Sequence, residues 1–303
     1  MKTALVVGSL VFMSGLAVLS GKNPPPPPRL NYSPVKNWPK LPDNKKLGAV
    51  TAVALDGEDR VYLFHRASPP IMVFDREGRL LRGFGEGLIK TAHGLRLDPE
   101  GNVWTTDIGN HLVRKFDPQG KLLLTLGTKD EPGEDGKHFN RPADVAVSPQ
   151  GDIFVADGYG NSRVAKFARD GKFLKAWGKK GKGEGEFNLP HAIVIDSKGR
   201  IHVGDRENNR VQIFDAEGKF LAQWRDSGAP YGLFLDKERW LVADGRAHLI
   251  NFLDAEGKRV GQFGMKGAMP AEFLMPHSLC VDSTGALYVA EVTGKRVQKL
   301  VRK

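Results

Sequence analysis

Six segments of the chain repeat one pattern of apolar and polar positions. In each segment a short apolar strand ends in Asp or another polar residue, and a turn leads to a second apolar strand that ends in a polar, mostly acidic, residue. A third strand, often of the form Arg-Val-x-x-Phe, and a Gly turn lead into a fourth. The chain holds 36 Gly and 19 Pro, a turn-rich balance that favours many short strands over long helices.

The residues that end the six first strands give the length of the repeat. They are Asp56, Asp98, Ser148, Asp196, Asp236 and Asp282. The steps between them are 42, 50, 48, 40 and 46 residues. Repeats of this length with four strands each are typical of propeller blades. The pattern therefore predicts an all-β fold, a six-bladed β-propeller.

The sixth repeat reaches Lys303 after its third strand, so its fourth strand must come from elsewhere. Residues 35–39, with Trp38, resemble the fourth strands of other repeats, for example 174–178 with Trp177. We expect residues 35–39 to close the ring, because closure removes an exposed sheet edge.

The first 34 residues differ from the repeats. Lys2 precedes an apolar run over 4–19 and the small residues Ser20 and Gly21, which predicts a secretory signal at 1–21. Cleavage near Gly21 would leave no stable membrane insertion, and an uncleaved anchor is the alternative. Residues 22–34 contain five consecutive prolines, a stiff spacer or a disordered leader. The propeller is then 35–303, exported to a bacterial periplasm or the extracellular space.

Charge and cysteine content exclude several functions. Lys plus Arg is 45 and Asp plus Glu is 35, a formal charge of +10, but the basic residues are spread through the repeat turns. Together with export, this argues against a nucleic-acid partner. Cys280 stands alone, which excludes an intrachain disulfide, a Cys-rich zinc module and a cysteine-ligated iron–sulfur cluster.

Three histidines occupy one repeat position. His93, His191 and His277 each lie five residues before the Asp that ends their first strand, in the second, fourth and sixth repeats. In the other three repeats that position is held by Thr51, Ala143 and Tyr231. Equivalent positions in a six-bladed ring lie about 60° apart, so the three imidazoles should converge on the axis. Three histidines with an open fourth position are typical of a catalytic zinc. The alternative is three unrelated loop histidines packed under the axial mouth.

Other polar residues are expected at the same mouth. Arg66 and Arg206 follow the last residue of the second strand in repeats one and four, and Tyr159 lies one residue later in repeat three. Two guanidinium groups suit a carboxylate substrate, and a tyrosine beside a dication can act as a base. Blade-to-blade salt bridges and a packed phenol are the alternatives.

The repeats resemble the NHL-repeat propellers, and several stretches resemble one enzyme family more closely. They are 92–95, 140–147, 157–163, 187–191, 205–208 and 275–277. These stretches are similar to the peptidyl-α-hydroxyglycine α-amidating lyases (peptidylamidoglycolate lyases) over about residues 45–300. The resemblance implies zinc on His93, His191 and His277, a catalytic Tyr159, and substrate-binding Arg66 and Arg206. It implies cleavage of a peptidyl or N-acyl α-hydroxyglycine to an amide and glyoxylate.

The chain departs from the family in three places. Gly160 stands where animal members have a disulfide cysteine. The family's axial calcium would use the backbone carbonyls of Val53 and Leu95 and an Asp after the third histidine. That position is Ser278, so the calcium site is one carboxylate short. The sequence also shows no copper monooxygenase half, so we expect either that a partner makes the hydroxyglycine or that the natural substrate is another carbinolamide or a ureido-type acid.

Two further classes remain open at this point. One is a non-catalytic secreted NHL propeller that binds a ligand or a protein. The other is a different propeller enzyme, such as a lactone hydrolase or another metal lyase. Metal content and glyoxylate release discriminate among the three. We expect a monomer that acts on a small peptide or N-acyl substrate.

Overall fold

The computed structural model describes residues 1 and 27–303, which form six four-stranded antiparallel sheets around one axis. The predicted signal and the first residues of the spacer lie outside this part of the chain. Blades one to three comprise β2 (Val50–Leu55), β3 (Val61–His65), β4 (Ile71–Phe74), β5 (Leu80–Phe84), β6 (Ala92–Leu97), β7 (Val103–Asp107), β8 (Leu112–Phe116), β9 (Leu122–Leu126), β10 (Asp144–Val147), β11 (Ile153–Asp157), β12 (Arg163–Phe167) and β13 (Phe173–Trp177).

Blades four to six follow the same order, and the six-bladed all-β propeller is confirmed. They comprise β14 (Pro190–Ile195), β15 (Ile201–Asp205), β16 (Arg210–Phe214), β17 (Phe220–Trp224), β18 (Pro230–Asp236), β19 (Arg239–Asp244), β20 (Leu249–Leu253), β21 (Arg259–Phe263), β22 (Pro276–Val281), β23 (Leu287–Glu291), β24 (Arg296–Arg302) and β1 (Tyr32–Pro34). A 3-10 turn spans Arg206–Asn208. Within the described residues, no helix is long and apolar enough to cross a membrane.

The aspartates that end the first strands close the following turns. The backbone N–H of Lys198 and that of Arg200 donate to the same carboxylate oxygen of Asp196, each at 2.9 Å. The same pair of contacts recurs at Asp56, Asp98 and Asp282. A carboxylate that satisfies turn N–H groups explains why the repeat carries Asp at this position.

The apolar core lies between blades. Six clusters of buried residues occupy the six interfaces between neighbouring sheets. At the first interface, for example, Tyr62 and Phe64 of blade one pack against Val103 and Phe116 of blade two. Each such side chain contributes about 1.5–3 kcal/mol by leaving water. This packing fixes the angle between blades, and so the distance between groups at the axis.

An N-terminal strand closes the ring, as expected, but the predicted strand at 35–39 is wrong. The closing strand is Tyr32–Pro34, which pairs with β24 in the register Tyr32↔Arg302 to Pro34↔Leu300. Three residues of the predicted spacer therefore belong to blade six. The chain turns away at Asn37, whose φ of 56° is left-handed and ends the extended backbone.

Trp38 nevertheless packs like the aromatic residue that ends a fourth strand in other blades. Its ring covers Gly78 in the outer turn of blade one, as Trp177 covers Gly218 and Trp224 covers Gly257. A Cβ at Gly78 would lie 2.7 Å from Trp38 Cδ1, so only glycine permits this contact. The sequence similarity to fourth strands thus came from Trp38 rather than from strand pairing.

Candidate metal centre and active site

The three histidines lie in irregularities of the innermost strands. In β14, Pro190 pairs with Asp205 and Ala192 with Gly204, which leaves His191 as the extra residue of a bulge. The register also shifts at His277 and at His93. A bulge turns a side chain away from its regular direction, here toward the axis. Left-handed backbone two residues earlier, at Leu189 and Met275, sets the start of two of these strands.

The structure brings the three imidazoles together, as predicted. The ring centroids of His93, His191 and His277 are 4.8 Å apart in all three pairs, and their nearest ligand atoms lie within 4.8 Å of one another. All three side chains are buried. In the part of the chain that the structure describes, this is the one group of His, Cys, Asp or Glu with metal-binding geometry.

A backbone carbonyl orients each imidazole. The Nδ1 atoms of His93, His191 and His277 lie 2.6, 2.7 and 2.7 Å from the carbonyl oxygens of Ala143, Tyr231 and Thr51. A carbonyl only accepts, so each Nδ1 carries the proton and each Nε2 keeps a free lone pair. This is the arrangement of metal-bound histidines and their supporting acceptors.

Electrostatics keep the imidazoles neutral. Burial is the main reason that the pKa of His93 and that of His191 lie well below the ordinary value, and nearby histidines and Arg206 add to the effect. Burial likewise lowers the pKa of His277 to about 4. Neutral imidazoles are the form that binds a metal. Three such nitrogens fit a divalent metal of the zinc class, with an open position beside them.

The Tyr159 hydroxyl lies at that open side. It is 3.0 Å from His93 Nε2, 3.0 Å from His191 Nε2 and 3.3 Å from Arg206 Nη1. Burial raises the pKa of Tyr159, and the positive charges of Arg206 and Arg66 oppose that effect. A bound dication would lower the pKa of Tyr159, in the same direction as the two arginines.

Glycines 158 and 160 place Tyr159 there. A Cβ at Gly158 would lie 1.9 Å from the Pro190 carbonyl oxygen, so blade three can approach blade four only without a side chain. Gly160, the position of the family's cysteine, donates its N–H to the Asn140 carbonyl at 2.9 Å. The Asn140 N–H in turn donates to Asp157 at 3.0 Å. Hydrogen bonds therefore hold this loop without a disulfide.

The two predicted arginines lie on the same face. The Arg206 guanidinium stacks 4.6 Å above the Tyr231 ring and donates to Glu207 at 2.9 Å. Arg66 is exposed and donates through Nε to the carbonyl of Ala92, the residue before His93. Both positive charges act on Tyr159, so an anionic group would be attracted to this mouth.

Sequence reasoning missed two side chains and one function. Tyr231, noted only as the residue at the histidine position of blade five, contacts the rings of His191 and His277. Arg141 lies 5.5 Å from the Tyr159 ring. The third omission is the role of three backbone carbonyls. Those of Thr51, Ala143 and Tyr231 each accept a hydrogen bond from the Nδ1 atom of one histidine. Arg141 lies in the matching stretch 140–147 and Tyr231 at the histidine position of its repeat, so the sequence held a signal for both, whereas only the repeat register could have indicated the carbonyls.

Comparisons with known proteins identify the family of the chain. The NHL repeat family matches residues 139–167, 187–214 and 273–300. The chain is 30% identical over 292 residues to "Probable peptidyl-alpha-hydroxyglycine alpha-amidating lyase pgal-1" of Caenorhabditis elegans, covering 85% of this chain and 83% of that protein. The chain belongs to the peptidyl-α-hydroxyglycine α-amidating lyase family.

Two other relatives limit what membership implies. Human NHL repeat-containing protein 3 is 34% identical over 87% of this chain and 82% of its own length. Peptidyl-glycine alpha-amidating monooxygenase B of Xenopus laevis is 35% identical over 57% of this chain, and the match spans about a quarter of that longer relative, 23%. Among solved structures, virginiamycin B lyase of Staphylococcus aureus shares the fold, with a TM-score of 0.62, 16% identity, and 91% of this chain and 99% of that chain covered.

Proposed function

We propose that this family member is a zinc-dependent lyase that cleaves the N–C bond of a peptidyl or N-acyl α-hydroxyglycine. The observation that carries the proposal is the convergence of three unprotonated Nε2 atoms beside the Tyr159 hydroxyl, with Arg206 3.3 Å from that hydroxyl. Zinc bound by His93, His191 and His277 would supply Lewis-acid chemistry to the substrate hydroxyl.

The protein groups divide the remaining work. Tyr159, in the phenolate form that a neighbouring dication would favour, accepts the proton of the substrate hydroxyl as the carbon–nitrogen bond breaks. The bonding electron pair goes to the amide nitrogen, which takes up the proton that Tyr159 accepted, and the hydroxyl-bearing carbon becomes the aldehyde of glyoxylate. Arg206 and Arg66 bind and orient the carboxylate, since guanidinium forks match carboxylate geometry. Arg206 is held for this by its stack on Tyr231 and its bond to Glu207.

The test is metal analysis of the purified protein together with glyoxylate release from N-benzoyl α-hydroxyglycine. We expect one zinc per chain and equal amounts of glyoxylate and benzamide. Metal-free wild-type protein that releases glyoxylate, or zinc-loaded protein that does not, would overturn the proposal.

A second candidate is a propeller that binds a ligand without catalysis. The identity to NHL repeat-containing protein 3 over most of both chains favours it. Zinc-loaded protein that binds the substrate but releases no glyoxylate would select this candidate.

Export of the protein is part of the proposal and is supported by the predicted signal at residues 1–21. A mature N-terminus near Lys22 in the periplasmic or secreted fraction is the expected result. Full-length protein in the cytoplasm would contradict it.

A further inference from the structure

An ion pair crosses the axial channel beyond the three histidines. Arg96 lies on β6, three residues after His93, and its guanidinium meets the Asp144 carboxylate through two hydrogen bonds, 2.7 Å from Nη2 and 3.2 Å from Nε. A third bond, from Nη1 to the Leu233 carbonyl at 3.3 Å, reaches blade five. The two side chains are 21% and 8% exposed. Together with the three histidines they line a cavity of about 20 Å³.

The Asp144 carboxylate is fully engaged. Besides the two bonds from Arg96, it accepts the backbone N–H of Val145 at 3.0 Å and that of Ile193 at 3.1 Å. Four donors occupy the lone pairs that two carboxylate oxygens offer. The pair therefore connects blades two, three, four and five around the axis, and it leaves Asp144 no free oxygen lone pair for a metal ion.

This channel is also where the resemblance implies a calcium ion, and the residues present do not fit one. The position that should supply a carboxylate is Ser278, whose hydroxyl is instead 3.3 Å from the Val53 N–H and 3.4 Å from the Val53 carbonyl. One of the two expected carbonyls thus already has a hydrogen-bonding partner. Calcium takes six to eight oxygen ligands and favours carboxylates. Here it would meet a guanidinium cation and a single, already neutralised carboxylate.

We propose that Arg96 is the built-in cation of the axial channel and that it replaces a structural calcium. Its guanidinium supplies positive charge to Asp144 and to the Leu233 carbonyl, and it bridges blades as a bound ion would. The protein consequently folds and keeps its stability without calcium. This inference does not depend on the lyase activity, because it concerns a group below the histidines.

The experiment measures calcium binding and stability rather than catalysis. Isothermal titration with CaCl2 and the thermal unfolding midpoint with and without millimolar CaCl2 are recorded for the zinc-loaded protein. For the wild type we expect no saturable heat and an unchanged midpoint. A calcium ion that binds stoichiometrically and raises the wild-type midpoint would overturn the proposal, whatever the variants do.

Three variants separate the built-in cation from a merely structural side chain. Arg96→Ser should lower the midpoint by roughly 5 °C, because it leaves Asp144 buried without its partner. The double variant Arg96→Ser/Ser278→Asp removes the cation and supplies a carboxylate, so it should bind calcium and regain part of the lost midpoint when calcium is added.

Ser278→Asp alone is the matched control. It retains Arg96 and should remain indifferent to calcium. Calcium binding by this single variant as tight as that of the double variant would show that Arg96 does not take the ion's place. Should the double variant fail to fold, the wild-type titration still decides the question.

Discussion

The Nδ1 atom of His191 lies 2.7 Å from the carbonyl oxygen of Tyr231, the residue at the same repeat position in the next blade. His277 makes the same contact with Thr51, and His93 with Ala143. Blades two, four and six therefore supply imidazoles, and blades three, five and one supply the carbonyls that orient them. The alternation seen in the sequence is thus a division between the candidate metal ligands and the carbonyl acceptors that orient them.

Removal of one imidazole should abolish zinc binding at the proposed metal centre. His191→Ala is expected to lower bound zinc from about one per chain to near zero and to lower glyoxylate release more than about 100-fold, because two histidines hold zinc poorly. Metal content by mass spectrometry and initial rates test this. His138→Ala, which changes a histidine whose ring contacts the loop carboxylates of Asp135 and Glu131, should retain both properties. Unchanged zinc in His191→Ala would contradict the proposed centre.

The Tyr159 hydroxyl can be removed without its ring. Tyr159→Phe keeps the ring contacts with His93 and His191 and deletes the group 3.0 Å from both Nε2 atoms. We expect kcat to fall about 10²–10⁴-fold with zinc retained, the range for loss of a general base. Tyr231→Phe is the matched control and should lose far less. Equal losses in the two variants would mean that the Tyr159 hydroxyl has no special chemical role.

Arg206 should be sensitive to a change that preserves its charge. Lysine cannot reproduce the fork, the bond to Glu207 and the stack on Tyr231 at once, so Arg206→Lys should lower kcat/KM about 10–100-fold. The loss should lie mainly in KM if Arg206 holds the carboxylate equally in the ground state. Arg246→Lys, at the exposed partner of Glu207, is the control and should have kinetics close to the wild type. An unaffected Arg206→Lys enzyme would exclude a bidentate contact.

The histidine cluster could be predicted because residues at the same position of successive repeats lie at the same height around the axis. Once the blades are counted, the same offset from Asp98, Asp196 and Asp282 places three side chains at one height on the axis. Pairings between repeats could not be predicted in the same way. Arg96 and Asp144 meet because blade packing sets two inner strands side by side, and no period in the sequence relates an arginine of one blade to an aspartate of the next.

The closing strand shows where sequence similarity misled. Trp38 resembles Trp177 because both cover a glycine of the following blade, and this contact is independent of strand pairing. Backbone pairing depends on extended conformation, which Asn37 interrupts. Burial of an aromatic side chain and membership of a strand are separate properties, and a single aromatic in the repeat pattern reports only the first.

A buried histidine outside the centre should make stability depend on pH. His202 packs against both Trp224 and Trp240, and burial lowers its pKa to about 4 despite the bond to Asp196 at 3.1 Å. The unfolded chain binds this proton near pH 6.5, so the folded state loses stability as pH falls from about 6.5 to 4, by about 3 kcal/mol for this group.

His202→Phe removes the titration and keeps an aromatic side chain in the same space. Its free energy of unfolding, measured by urea titration at several pH values, should therefore fall less steeply below pH 6.5 than that of the wild type. Parallel curves for the two proteins would show that His202 is not a source of the acid sensitivity.

Ring closure by Tyr32–Pro34 predicts a sharp limit for N-terminal truncation. A variant without residues 2–26 retains β1 and the aromatic contacts of Tyr32 with Phe252 and Phe263. It should unfold at the temperature of the longer chain and remain soluble. A variant without residues 2–34 exposes the full edge of β24 and uncovers Leu300, which is buried in the closed ring. An open edge of this kind pairs with other chains.

The longer truncation should therefore unfold at a lower temperature and form aggregates in light scattering, while the shorter one does not. If closure depended instead on residues 35–39, both truncations would behave alike, because both retain that segment and Trp38. The two variants differ by residues 27–34, so the comparison reports on β1 together with Pro28 and Leu30, whose backbone groups bond to Gln262. Burial of Tyr32, the ladder to Leu300, Val301 and Arg302, and the backbone bonds of Pro28 and Leu30 to Gln262 account for it together.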